Sequence, residues 1–508
     1  MQKTRTEKAT LNLVTTSVYE VVVFASGLIL PRLILRNYGS TYNGIISSIT
    51  QFLSLVSILR LGVAGATRAA LYKTLASGDK HGTSSIVKAT DIYMRKVGLI
   101  ILVYIICLSI IYPIAIRSEY GYWNVALLVI ATGLGTFAQY FFGITYQTFL
   151  TADQSVYIYN FIQSLCIIAN TLICVLLIAH GQSIQLMKLA SSSVFVVTPI
   201  FLNIYVNKKY RLEKDCAPDN AALSQRKDVM ASSIANIIHQ DTDIVVLTLF
   251  CDIKIVSVYT VYNLVMLALK KIQEIFTVGV EAIFGDMWAK NELDKISKNL
   301  NLFEFIIGVF ISVAFSCTFL LLLPFVSLYT KGVTDIEYVL PSYAFVISLA
   351  LAFFCFRTPY LLLVQGAGRY KETKHGAYIE AALNLGLSII LVNILGIVGT
   401  ALGTLVANIF RTIQYSIYVD KHMIKHSFSV VIKRMLWISA NISISYLLFN
   451  SYMADYASAN WMNWILGALL IAASSLIIAC ISGRLMFKTD FCNSLVVVKR
   501  ILRKGYKG

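Results

Sequence analysis

Charge is scarce in this sequence. Only 14% of its 508 residues are Asp, Glu, Lys or Arg, against about 25% in a typical soluble domain. With 57% hydrophobic residues, too little polar surface exists to clothe a fold in water. That excludes a soluble enzyme and makes lipid the solvent. Alternating β-barrel patterning is absent, so the backbone must satisfy itself as helices. No GxxxxGK[ST] loop occurs, which argues against ATP-driven chemistry in this chain. No HExxH and no CxxC occur either, so no metal site and no cofactor are expected. The nine cysteines, Cys107, Cys166, Cys174, Cys317 and Cys355 among them, fall mostly in apolar runs and read as small packing residues. The six histidines are dispersed. A cleavable signal is not expected, because Leu11–Gly39 is too long for a signal core and no small-residue cleavage site follows it.

Apolar runs of spanning length are what the sequence does have. A helical span needs about 20 residues. Fourteen spans are expected, near 11–36, 43–71, 95–116, 122–149, 155–179, 184–206, 229–250, 254–283, 301–328, 338–364, 375–396, 398–419, 429–450 and 461–483. Acids are outnumbered, 26 Asp and Glu against 43 Lys and Arg. Most of the basic residues fall in alternate segments together with both termini. The opposite side holds only Arg36, Arg117, Lys188, Lys254 and Lys331. By the positive-inside rule both termini are expected in the cytoplasm. The excess charge is thus a topology signal, and no nucleic-acid partner is expected.

The expected architecture is an all-α polytopic membrane protein of about 14 helices. Residues 1–206 form an N-lobe of six helices, 207–228 a cytoplasmic linker, 229–419 a C-lobe of helices 7–12, and 420–483 two extra helices. Residues 484–508 form a basic tail. A shift of 217 residues aligns Tyr42 with Tyr259 and Gly62-Val63 with Gly279-Val280, which suggests that the lobes are repeats. In the tail, Leu495–Val498, Ile501 and Leu502 alternate with Lys499, Arg500, Arg503 and Lys504, suiting a helix that lies on an anionic leaflet of membrane lipid. Six of the seven prolines lie in or beside spans, where they kink helices. Gly399–Gly403 is a GxxxG, a helix-packing pattern.

Charges inside the spans carry the functional signal, because each costs about 2.5–3.5 kcal/mol at mid-bilayer on insertion scales. Such residues face a cavity or the bundle interior. Arg60, Lys270, Lys271, Arg357 and Arg411 fall toward the cytoplasmic half, and Arg32 toward the outer end of the first span. This cationic tier suits an anionic head group, with phosphate or diphosphate the natural ligand of guanidinium forks. Internal pairing competes. Lys270 and Glu274 share a helix face, and Lys271 can snorkel. Arg60, Arg357 and Arg411 lack an acid on their own helix, so they need a partner from another helix or a ligand. Asp241 and Asp243 point to nearly opposite sides of one helix, so one of them at most faces a cavity. With Glu20 they are the candidates for coupling to H⁺, Na⁺ or the membrane potential.

Three stretches carry a family resemblance: ILPRLILRNYGSTYNGIISSITQFLSLVSILRLGVAGATRAALY at 29–72, FLTADQSVYI at 149–158, and DTDIVVLTLF with VSVYTVYNLV over 241–265. The sequence resembles the Wzx-type polysaccharide flippases of the multidrug/oligosaccharidyl-lipid/polysaccharide exporter superfamily. The resemblance implies two six-helix lobes around a central cavity with alternating access. It implies a polyprenyl-diphosphate-linked oligosaccharide, undecaprenyl in kind, flipped to the outer leaflet of the cytoplasmic membrane before polymerisation, with a polysaccharide polymerase as partner. It implies head-group contacts at Arg32, Arg60, Lys270 and Lys271. The two extra helices resemble those that shelter a lipid tail in the peptidoglycan-precursor flippase. A drug/cation antiporter on the same scaffold would favour a cavity of acids. A membrane glycosyltransferase or polymerase would need a larger outer loop than Tyr329–Glu337, so no enzyme is expected.

Overall fold

A computed structural model describes residues 4–56, 58–116, 121–213, 215–219, 221 and 242–505. The described residues are helical apart from short turns, as the apolar runs require: lipid offers the backbone no hydrogen-bond partner. Ten helical stretches are long and apolar enough to cross a membrane. One of them, Thr6–Leu55, contains the first expected span and part of the second. Helices also form over the expected twelfth and thirteenth spans. Of the seventh span, only residues from 242 onward lie among those described.

The chain divides into two compact units, Met1–Ser257 and Val258–Gly508. In the first unit, α1 (Arg5–Leu55) opens on a capping box, in which Thr4 accepts from the Glu7 amide and the Glu7 carboxylate accepts from the Thr4 amide. It turns sharply at Gly39, whose φ of 85° is open to glycine at no cost. Then follow α2 (Ile58–Ser77), α3 (Lys80–Ala115), α4 (Tyr122–Ala138), a π-turn at Gln139–Gly143, α5 (Ile144–Ala152), α6 (Val156–Ala179), α7 (Ile184–Tyr210) and α8 (Asp243–Phe250). Hydrogen bonds zip α1 to α6 along its length: Asn160 donates to Thr16 at 2.8 Å, and the Ser26 and Thr171 hydroxyls meet at 2.8 Å. Such bonds join helices where apolar faces gain little over lipid. Ser48 and Thr248 meet at 2.8 Å, and Asn43 donates to Ser257 at 2.7 Å, tying α8 and the residues after it to α1.

At the expected cytoplasmic end, Asp153 holds the start of α1 to the turn between α5 and α6. It accepts from Lys8 at 2.9 Å, Ser155 at 2.6 Å and Tyr210 at 2.7 Å. Burial alone would raise its pKa, but the hydrogen bonds from Ser155, Tyr210 and Lys8 outweigh burial and hold it below the usual carboxylate value.

The second unit continues from α9 (Ile253–Thr277), which begins in the first unit, through α10 (Val280–Ala289), α11 (Leu293–Tyr329), α12 (Pro341–Phe356), α13 (Thr358–Gly366), α14 (Tyr370–Leu395), α15 (Ile397–His422), α16 (Phe428–Ala459), α17 (Trp461–Met486) and α18 (Lys488–Gly505). Both units break a span at matching places. The π-turn at Gln139–Gly143 and the junction at Arg357 are related by the same 217-residue shift read from sequence, since 140 maps to 357. The GxxxG does pack helices. A Cβ at Gly399 would stand 2.3 Å from the Leu391 backbone, and one at Gly403 2.5 Å from the Ser388 hydroxyl, so α14 and α15 touch at their backbones.

Candidate functional site

The first unit contains two hollows of about 350 Å³ and 330 Å³, in which polar side chains are set among a larger apolar lining. They share Thr50, Lys188 and Ser191 as lining. Helices α1, α4, α5, α6 and α7 and the π-turn supply the polar side chains, including Gln51, Gln139, Gln147 and Gln163. No acid among the described residues lines either hollow. Lys188 lies in the second turn of α7, partly buried, with no carboxylate or hydrogen-bond partner among the described residues. Cys174 lines the first hollow with it.

Arg60 sits in the first turn of α2, just past the break in the second span. It also meets no carboxylate among the described residues. Its side chain lines neither hollow. Sequence reasoning picked out Arg60 but placed Lys188 among the outer-side topology residues. A lysine inside the expected 184–206 span, followed by Ala190–Ser193, was the signal available.

In the second unit the cations converge on one acid. Arg357 and Arg411 are buried, and both pair with Glu380, the second at 3.2 Å. Arg411 also donates to the Thr373 carbonyl at 3.0 Å and to Tyr415 at 2.6 Å. Arg357 lies 4.7 Å over the Phe354 ring and Lys270 5.1 Å over the same ring. Gly376 makes the room, since a Cβ there would collide with Arg411 and Gln414. Of the two alternatives open from sequence for Arg357 and Arg411, a partner helix or a ligand, the structure supplies the partner helix α14 through Glu380.

The remaining candidates separate. Lys271, exposed, pairs with Glu274 at 3.1 Å. The expected Lys270–Glu274 pair is thus replaced, because Lys270 turns to the Phe354 face instead. Arg32 is partly buried and engaged with a neighbour. Glu20 is exposed on α1, outside both hollows. Asp243 starts α8 and has an interaction partner. Asp241 lies outside the described residues.

A second buried cluster in this unit went unread in the sequence. Glu304 pairs with Arg434 at 2.7 Å and with His426 at 2.9 Å, all three almost fully buried. Arg434 also holds Asp490 at 2.8 Å, fixing the first turn of α18. Phe491 packs on Phe305, and Phe305 stacks on Trp437 at 5.3 Å. The basic tail is therefore anchored at its root.

No protein-family profile matches the chain, and no curated protein does. Solved structures do. The fold matches a lipid II flippase, MurJ, in an inward closed conformation, with a TM-score of 0.70 at 15% identity, covering 92% of this chain and 98% of that one. It matches an inward-facing multidrug resistance MATE transporter of the MOP superfamily at 0.60 and 14% identity, covering 84% and 98%. An outward-facing MATE transporter of the same superfamily matches at 0.55 and 16% identity, covering 85% and 96%. At these identities the likeness establishes architecture: the chain is a multi-pass membrane protein with the fold of these transporters.

Proposed function

We propose that the chain is a flippase. It moves an undecaprenyl-diphosphate-linked oligosaccharide from the cytoplasmic to the outer leaflet of the cytoplasmic membrane by alternating access, for surface polysaccharide assembly. One observation carries the proposal: the first unit holds Arg60 and Lys188 within its spans without a carboxylate partner among the described residues, and Lys188 borders hollows that no acid among the described residues lines. An unpaired charge in a span is costly, and an anionic ligand offsets that cost. The match to a flippase of a lipid-linked substrate over most of the chain supports the choice of cargo class. Similarity to transporters in inward-facing and outward-facing states supports alternating access. Arg60 contacts the diphosphate, and both termini lie in the cytoplasm. Coupling to H⁺, Na⁺ or the membrane potential runs through Asp241, Asp243 or Glu20.

A drug/cation antiporter on the same scaffold is the second reading, favoured by the MATE likeness. A cationic drug would meet Lys188 and no acid in the hollows. Reconstitution into vesicles with a fluorescent polyprenyl diphosphate, followed by quenching from one side, separates the two. The flippase reading expects exchange between leaflets and at least a tenfold loss in Arg60→Ala, since a hydrogen bond to a charged group contributes about 1.5–3 kcal/mol. No exchange with any diphosphate-linked lipid, together with cation efflux against a proton gradient, would establish the antiporter instead.

A further inference from the structure

We propose that the hollow around Lys188 is a subsite for an acidic sugar. The Lys188 ammonium pairs with the carboxylate of a uronic acid in the transported head group, and the surrounding amides and hydroxyls take the ring hydroxyls. The assignment rests on the flippase reading and adds to it a class of sugar.

Charge is the first support. Lys188 lies within an apolar span and lines both hollows, with Cys174 beside it in the first and Tyr159 in the second. A lysine that only snorkelled would point its head to the membrane boundary. This one borders two interior hollows whose lining contains no acid among the described residues.

The lining is the second support. Thr50, Gln51 and Ser191 line the first hollow with Lys188, and Thr50, Gln139, Gln147, Gln163 and Ser191 line the second with it. Primary amides and hydroxyls both donate and accept. A sugar hydroxyl does the same, so this lining suits a ring with many hydroxyls better than a bare phosphate. The hollows follow α7 from Met187 to Leu202, about 22 Å at 1.5 Å per residue. That is length for more than one ring.

The charge balance is the third. One ammonium neutralises one carboxylate. A diphosphate carries more charge and is better met by a guanidinium fork, which the first unit offers at Arg60 in the first turn of α2. The first unit thus divides the head group, with diphosphate at Arg60 and sugar carboxylate at Lys188.

The test uses the purified full-length protein and free sugars. Lys188 is acetylated with a small amine reagent and the extent is read by mass spectrometry, with glucuronate, glucose or inorganic diphosphate present. Glucuronate is expected to slow modification at least threefold, and glucose to leave it unchanged. Thermal stabilisation by glucuronate is expected to vanish in Lys188→Met and persist in Lys188→Arg. Equal protection by glucose, protection by diphosphate alone, or none by any probe would overturn the assignment. Free sugars bind without being moved, so a failure here leaves leaflet exchange of the diphosphate lipid intact. Glucuronate protection without any lipid exchange would instead sink the flippase reading.

Discussion

The two units treat their buried cations differently. In the second, each buried guanidinium has an acid: Arg357 and Arg411 share Glu380, and Arg434 sits between Glu304 and Asp490. In the first, Arg60 and Lys188 have no carboxylate partner among the described residues, and Lys188 shares its hollows with amide and hydroxyl side chains. Since an uncompensated charge is expensive in lipid, the difference separates cations that serve the second unit's cohesion from cations that, on the proposed flippase reading, await an anionic guest.

The largest effect should come from removing the shared acid. Glu380→Gln leaves two buried guanidiniums on one neutral amide and should cost about 3–5 kcal/mol, read as a steep drop in thermal stability. A small loss would mean that those arginines are not held by their acid, and the contrast between units would fail. Next is Gly399→Val, which forces side-chain atoms into the Leu391 backbone and should cost about 1–3 kcal/mol. A neutral result would show that the α14–α15 contact is loose enough to move the second unit's ion pairs.

Asp153→Asn sharpens the comparison within the first unit, where this acid is spent on Lys8 at the unit's edge. It should cost about 1–2 kcal/mol. Because the folded carboxyl titrates below its ordinary value, that contribution is full above the unfolded pKa near 3.9 and fades as pH falls through the folded value. The gap between wild type and Asp153→Asn in thermal melts should therefore close in acid. Smallest of all is Lys271→Ala, which breaks an exposed pair with Glu274 and should change stability by less than about 0.5 kcal/mol. A large loss would make that pair structural.

Much of the fold was legible because spanning length and apolarity are local properties. The apolar runs carry it, and the GxxxG at 399–403 marked a close contact, while the turn at Gly39 inside α1 went unread. What was not legible was pairing across helices. Arg357 and Arg411 lie 23 and 31 positions from Glu380, so no same-helix spacing rule joins them. The burial of Glu304 and Arg434 depends on α11 and α16 lying side by side, which hydropathy does not encode. Lys188 was missed because a basic residue one turn inside a span looks identical to a boundary residue. Only the polar side chains opposite it, drawn from α1, α6 and the π-turn, reveal a hollow.

The most direct measurement of the contrast between units is the affinity of the purified protein for a short-chain polyprenyl diphosphate, for wild type, Arg60→Gln and Lys271→Ala, with melting temperatures taken on the same samples. The account predicts at least a tenfold weaker affinity for Arg60→Gln at an unchanged melting temperature, and wild-type affinity for Lys271→Ala. Unaltered affinity in Arg60→Gln, or a melting temperature that falls with it, would contradict the claim that the first unit keeps its cations for a phosphorylated ligand.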